Sequence, residues 1–157
     1  MSERSTQHET FSIDRTYDAP PARVFAAWAE PEAKARWFGE HSEAHSKDRE
    51  FDFRVGGHER MSGGLTSGQT YKFDALYQDI VPDRRIVYTY DMHLNERRIS
   101  VSLATIEFEP AGDGTRLVLT EQGVFLDGGD NAAAREEGTR QLLDGLEAEL
   151  RRDPAIV

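Results

Sequence analysis

The sequence predicts an α+β fold: a curved antiparallel β-sheet wrapped around one long C-terminal helix, with two short helices after the first strand. Three observations predict it. Five segments alternate apolar and polar residues with period two. Phe11, Ile13 and Tyr17 alternate with Ser12, Asp14 and Thr16; Phe51, Phe53 and Val55 with Asp52 and Arg54; Tyr71, Phe73, Ala75 and Tyr77 with Lys72, Asp74 and Gln78; Ile86, Tyr88 and Tyr90 with Val87, Thr89 and Asp91; Leu117 and Leu119 with Arg116, Val118 and Thr120. Strand side chains point to alternate faces, so this is a sheet with one wet face and one covered face. The second observation is a helical stripe near the C-terminus, Leu142, Leu143, Leu146 and Leu150. The third is that no other helical segment is long enough to cover an apolar sheet face, which must be covered.

The elements follow in order. Residues 1–9 are polar and read as a disordered tail, with a single domain over 10–153. The first strand runs over 10–18. Asp18 suits an N-cap, and Pro20 and Pro21 suit a first helical turn. Val24, Ala27 and Trp28 then fall at helical spacing, with Phe25 beside them. Pro31 opens a second short helix through Trp37 and Phe38, stopped by Gly39. Residues 40–49 read as a polar loop. Strands follow near 50–55, 58–63, 68–80, 84–93, 97–109 and 114–125, separated by Gly56-Gly57, Gly63-Gly64, Pro82-Asp83, Asn95 and Gly112-Asp113-Gly114. In the long strand 97–109, Ile99, Val101 and Leu103 share one parity and Ile106 and Phe108 the other, which predicts a β-bulge near Ala104 or Thr105. Gly128 and Gly129 end the meander. Asp130 or Asn131 can cap a last helix reaching Arg152, with Pro154 beyond and Glu136/Arg140 and Glu147/Arg151 pairs on its wet side.

The composition narrows the function classes. A chain of 157 residues can bury roughly 70% of its unfolded surface, so it can build a real core, even a partly hollow one. There is no cysteine, hence no disulfide, thiolate nucleophile or Cys-ligated zinc. The formal net charge is −10 and no basic cluster occurs, which argues against nucleic acid and anionic membranes. No apolar run approaches membrane-spanning length, so we expect a cytoplasmic protein without membrane insertion. A homodimer stays open. The covered face is rich in tyrosine, whose hydroxyl wants a partner when buried, and that suits a pocket better than a dry core.

The stretches Arg15–Gly39, Phe51–Met61, Gly68–Tyr90 and Ala104–Gly123, with the C-terminal helix, resemble the START-like or Bet v 1-like helix-grip superfamily. Within it the chain is similar to the family named after the C-terminal domain of the activator of Hsp90 ATPase. Trp37-Phe38, Arg54-Val55-Gly56-Gly57 and Gly114-Thr115-Arg116-Leu117 carry the resemblance together; each alone is weak. The chain departs from the pattern at Gly138-Thr139, where the family often has an aromatic residue, and in the polar, histidine-containing loop 40–49. Eukaryotic Hsp90 activators carry a further N-terminal domain that contacts the chaperone. This chain has no room for one, so a chaperone contact is not expected.

In the resembled fold the first and last strands are neighbours. Arg15 and Glu121 both occupy the covered parity, so they could pair on a cavity wall, either as a structural ion pair or as an anchor for a ligand carboxylate or hydroxyl. Tyr71, Tyr77, Tyr88 and Tyr90, with Trp28, Trp37, Phe53 and Phe73, are wall candidates, and Leu142 and Leu146 face them; any one could instead be plain core. His41 and His45 lack a third ligand and an HExxH context, so no metal is expected. There is no G-x-S-x-G elbow, and Ser62–Gln69 lacks the Gly-Lys of a P-loop, so neither a catalytic residue nor a cofactor is expected. The favoured reading is a module that binds a hydrophobic or aromatic small molecule, such as a lipid or polyketide. The alternatives are a cavity enzyme of the cyclase or hydrolase kind, with Glu121 as general acid–base, or a protein-interaction domain.

Overall fold

The predicted alternation builds one seven-stranded antiparallel sheet in a computed structural model that describes residues 4–38, 45–65 and 67–152. In chain order the strands are β1 (Thr6–Tyr17), β2 (His45–Phe51), β3 (His58–Gly64), β4 (Thr70–Val81), β5 (Arg85–Leu94), β6 (Arg97–Ala111) and β7 (Gly114–Leu126). Their spatial order is β1-β7-β6-β5-β4-β3-β2, so the first and last strands do pair. Two short helices, α1 (Pro21–Ala29) and α2 (Pro31–Trp37), carry the chain from the β1 edge to the β2 edge. The last helix, α3 (Ala132–Leu150), packs on β1, α1 and α2. This is the helix-grip architecture. Gly39, His41 and Pro154 lie outside the described residues.

Several boundaries differ from the sequence reading. β1 begins at Thr6, because Ser5 and Arg4 are tied to the Asp127 carboxylate (2.9 and 3.0 Å) and the strand pairs with β7 from Thr6↔Leu126 onward. The N-cap of α1 is Pro20, not Asp18: the Pro20 carbonyl accepts from the N–H groups of Arg23 and Val24. β2 covers residues 45–51, part of which was read as loop. Residues 52–57 form a tight turn that docks on β4 through Gly56 N–H to Tyr77 O (2.9 Å) and Tyr77 N–H to Gly57 O (3.0 Å). Gly56 takes a positive φ of 85°, and a Cβ on Gly57 would overlap the Asp52 carbonyl. That turn breaks the alternation, leaving Val55 exposed.

The bulge in β6 is at Ile99, not near Ala104 or Thr105. The pairing with β5 steps from Met92↔Ser100 to His93↔Arg98, so Ile99 is the extra residue. Ile99 and Ser100 are therefore both buried, and from there Ser102, Ala104, Ile106 and Phe108 face inward. Val101 faces outward, an apolar residue that misled the parity reading.

The closing helix is capped by Asn131, whose Oδ1 accepts from Ala134 N–H at 2.9 Å, and it ends at Leu150 rather than Arg152. Leu143 and Leu146 are fully buried against the sheet core of Ile13, Ile106, Leu117 and Leu119. The Tyr17 hydroxyl donates to the Leu143 carbonyl (3.0 Å), and Arg36 of α2 grips Glu149 with two hydrogen bonds (2.9 and 2.7 Å). The C-terminal half of α3 is thereby fixed to β1 and α2.

A buried ion pair fixes α2 to the sheet. Lys34 Nζ donates to Glu59 Oε1 at 2.9 Å, and the Tyr77 hydroxyl donates to the same oxygen at 2.7 Å. The rings of Trp28, Trp37, Phe38 and Phe51 lie within 4.2–5.8 Å of the ammonium. Burial pulls the Lys34 pKa down, with Glu59 opposing it. Removing Lys34 leaves the buried Glu59 carboxylate with only the longer contact from Arg49 Nη2 to its Oε2 (3.5 Å) as a charge partner in a low-dielectric site. Lys34→Met should therefore cost about 3–5 kcal/mol in urea unfolding, and the double variant Lys34→Met/Glu59→Leu should recover most of it. A single-variant cost under about 1 kcal/mol would contradict this account of α2.

Candidate functional site

The site begins with the spacing of two glycines on α3. Gly138 and Gly145 are seven residues apart, about two helical turns, and so share one face. A Cβ on Gly145 would sit 3.3 Å from the Trp37 carbonyl, so glycine there lets α3 press onto α2. A Cβ on Gly138 would meet nothing within 4 Å. The same face that is clamped near the helix C-terminus thus stands clear of the sheet near its N-terminus.

The gap is a cavity of about 410 Å³, open at one side. Its floor is the inward face of the middle strands, with Phe73, Tyr88 and Tyr90 meeting ring to ring (5.0 Å for Phe73–Tyr90, 5.9 Å for Tyr88–Tyr90). The end toward α1 and α2 is closed by Trp28 and Trp37, packed edge to face at 4.8 Å. Trp28 Nε1 is buried there with no hydrogen-bond partner among the described residues. Met61, Met92, Ile99 and Leu119 complete the apolar wall, and Thr139, Leu142 and Leu143 cover it from α3.

One end of the cavity is polar. Glu121 on β7 points inward and is 4% exposed. Its Oε2 accepts from the Tyr90 hydroxyl at 2.8 Å. Arg135 reaches in from the first turn of α3, with Nη1 3.7 Å from the same carboxylate oxygen. Arg135 also donates to Tyr90 Oη (3.0 Å), Ser100 Oγ (2.8 Å) and Asp130 Oδ2 (2.9 Å). Its guanidinium lies over the rings of Tyr90 and Phe125 at 5.7 and 5.4 Å. Burial pushes the Glu121 pKa above its ordinary 4.5, while the Tyr90 bond and Arg135 hold it down.

Of the residues singled out from sequence, Trp28, Trp37, Tyr71, Phe73, Tyr88, Tyr90, Glu121 and Leu142 do line this space. Three do not. Arg15 pairs with β7 at Leu117, not Glu121, and turns to α3, where it donates to Asp144 Oδ1 (2.7 Å) and the Arg140 carbonyl (3.3 Å). An Arg15–Glu121 pair therefore does not exist; shared parity gave the right face but not the right row. Phe53 lies in the turn after β2 and packs on Phe25 and Tyr77 (5.7 and 5.0 Å). Leu146 lies beyond the clamp and is solid core. Tyr77 is likewise core, held by Glu59. The residue missed from sequence is Arg135, the true partner of Glu121. Its signal was legible, since Arg135, Thr139 and Leu142 fall on one helical stripe. Among the described residues no cluster of acidic or histidine side chains could hold a metal ion.

This architecture defines a helix-grip protein with an accessible hollow between sheet and terminal helix. The chain belongs to the activator of Hsp90 ATPase homolog 1-like family, whose model matches residues 18–151. It is similar to a protein of Rhizobium leguminosarum of solved structure, with 49% identity and a TM-score of 0.92, over 97% of this chain and 100% of that one. A protein of Rhizobium loti is similar at 48% identity and a TM-score of 0.86, over 92% of this chain and 99% of that one. One from Chromobacterium violaceum has 29% identity and a TM-score of 0.77, over 92% and 98% of the two chains. No curated protein matches this chain. No helix among the described residues is long and apolar enough to cross a membrane.

The raised pKa of Glu121 has a measurable consequence for stability. The folded state favours the protonated carboxyl, so its contribution is fully present below the unfolded value of 4.5 and is lost as pH rises through the folded value. The melting temperature of wild type relative to Glu121→Gln should therefore fall as pH rises above about 4.5. Thermal melts across that range test it; a difference that stays constant would contradict the burial of this group.

Proposed function

We propose that the protein binds a hydrophobic or aromatic small molecule in the cavity between the sheet and α3. The observation that carries this reading is the apolar-lined cavity between sheet and helix, with Gly138 at its rim, while Gly145 on the same helical face presses on the Trp37 backbone. Glycine inside a helix costs about 1 kcal/mol relative to alanine. At Gly145 close packing accounts for it. Gly138 is exposed at the rim of the cavity, where its missing side chain leaves the mouth clear. The volume of about 410 Å³ and the mostly apolar wall with a few polar groups at one end are in the range of small-molecule sites. A binding role is favoured over catalysis because the wall is mostly apolar and the buried acid at its polar end, Glu121, accepts from Tyr90 and faces Arg135, an arrangement that anchors the carboxylate.

Native mass spectrometry of freshly purified protein should show an adduct of small-molecule mass that organic extraction removes. An added neutral dye, Nile red, should bind to the extracted protein. Gly138→Leu should keep or raise the melting temperature, because it removes a helix-interior glycine, while weakening Nile red binding at least about tenfold by filling the cavity mouth. Undiminished binding in a folded Gly138→Leu variant would overturn the assignment of the site. No dye binding to wild type would overturn the function.

A further inference from the structure

We propose that the cavity selects neutral ligands that donate a hydrogen bond, an aromatic alcohol or phenol rather than a carboxylate, and that Glu121 is the acceptor. This rests on the ligand-cavity reading above and adds the chemistry of the ligand.

The argument is an inventory of the polar end. Arg135 is the only Lys or Arg among the described residues that line the cavity. It is the natural anchor for an acid, but three of its five N–H donors are committed. Nη2 serves both Ser100 Oγ and Asp130 Oδ2, and Nη1 serves Tyr90 Oη, with Glu121 alongside. A ligand carboxylate would compete for it with the two carboxylates that already face it, Glu121 and Asp130.

The Tyr90 hydroxyl is committed too. It has one proton, given to Glu121, and it accepts from Arg135. The Thr139 hydroxyl donates to the Arg135 carbonyl (2.9 Å) within its own helix. Glu121 is different. A carboxylate offers about four lone-pair sites; the Tyr90 hydroxyl fills one, on Oε2, and the buried Ser102 hydroxyl faces the same carboxylate and fills at most one more. The group at this end with acceptor capacity left over is therefore Glu121, and it can only be satisfied by a donor.

The charge balance points the same way. With Glu121 ionised, two carboxylates, Glu121 and Asp130, face one guanidinium, and the polar end then carries surplus negative charge. A further anion would meet that surplus in a site where water screens it poorly. The chain as a whole, at a formal −10, adds to the same bias. The rings of Phe73, Tyr88 and Tyr90 supply the flat apolar wall against which an aromatic ligand would lie.

The test is displacement of Nile red near neutral pH by three molecules of one shape: naphthalene, 2-naphthol and 2-naphthoate. Wild type should bind 2-naphthol about tenfold or more tightly than either of the others, the scale of one hydrogen bond to a charged group. Glu121→Gln should narrow the gap between naphthol and naphthoate several-fold. Asp130→Asn, at a partly exposed position, should raise affinity for naphthoate by freeing Arg135. Naphthoate binding as tightly as naphthol in wild type overturns the selectivity while leaving the cavity reading intact. So does an unchanged gap in both variants. Failure of Nile red and all three molecules to bind overturns the cavity reading itself, and this inference with it. The wild-type ranking decides the matter even if a variant does not fold.

Discussion

The hollow depends on one contact: the Arg135 side chain crossing from the first turn of α3 to Glu121 and Tyr90 on the sheet. An apolar helix laid on an apolar sheet would be expected to close down along its whole length, since each buried methylene contributes about 0.8 kcal/mol. The C-terminal half of α3 does so, with Leu143 and Leu146 fully buried and Gly145 against the Trp37 backbone. The N-terminal half is tied to the sheet by the long polar side chain of Arg135, which spans a gap that direct apolar packing would close. Arg135 is suited to that role. Its guanidinium is planar and permanently charged, and it lies over Tyr90 and Phe125 while bonding to three partners.

The second constraint lies at the other end of the cavity. Trp28, Trp37 and Phe38 form a wall only if α2 is fixed, and α2 has just seven residues, too few to hold its place by helix propensity. The Lys34–Glu59 pair fixes it to β3, and Tyr77 holds Glu59 in turn. Both ends of the hollow therefore rest on a buried acid–base pair with a tyrosine attached: Glu59 with Lys34 and Tyr77, Glu121 with Arg135 and Tyr90. The tyrosine hydroxyls that suggested a pocket from sequence divide into two kinds. Tyr77 is structural, and Tyr90 borders the open space.

Much of this was legible in the sequence. Alternation at Phe73, Ala75 and Tyr77 and at Ile86, Tyr88 and Tyr90 is a direct image of the pleat, so the sheet, its covered face and most of the cavity wall could be read from it. The helical stripe of Leu142, Leu143 and Leu146 placed α3. What failed was whatever depends on register. Arg15 and Glu121 share a face, but Arg15 lies opposite Leu117, four residues away along β7. Periodicity gives the side of a residue and not its row. The Ile99 bulge was hidden because Val101 is apolar yet faces outward. Phe53 and Val55 continue the β2 alternation on paper, but the Gly56-Gly57 turn interrupts it in space. Lys34 and Arg135 were not singled out from the sequence, because their partners Glu59 and Glu121 lie on distant strands that the fold brings to them.

The most direct test of the central claim is methyl NMR of the labelled protein during titration with a small neutral aromatic. The account predicts that the methyl signals of Leu119, Leu142 and Ile99, which line the cavity, shift together and saturably. Those of Leu146, Ile13 and Ile106, in the solid core, should stay where they are. Shifts confined to exposed Val55 and Val101, or no saturable shift at any cavity methyl, would contradict an accessible hollow beneath the terminal helix.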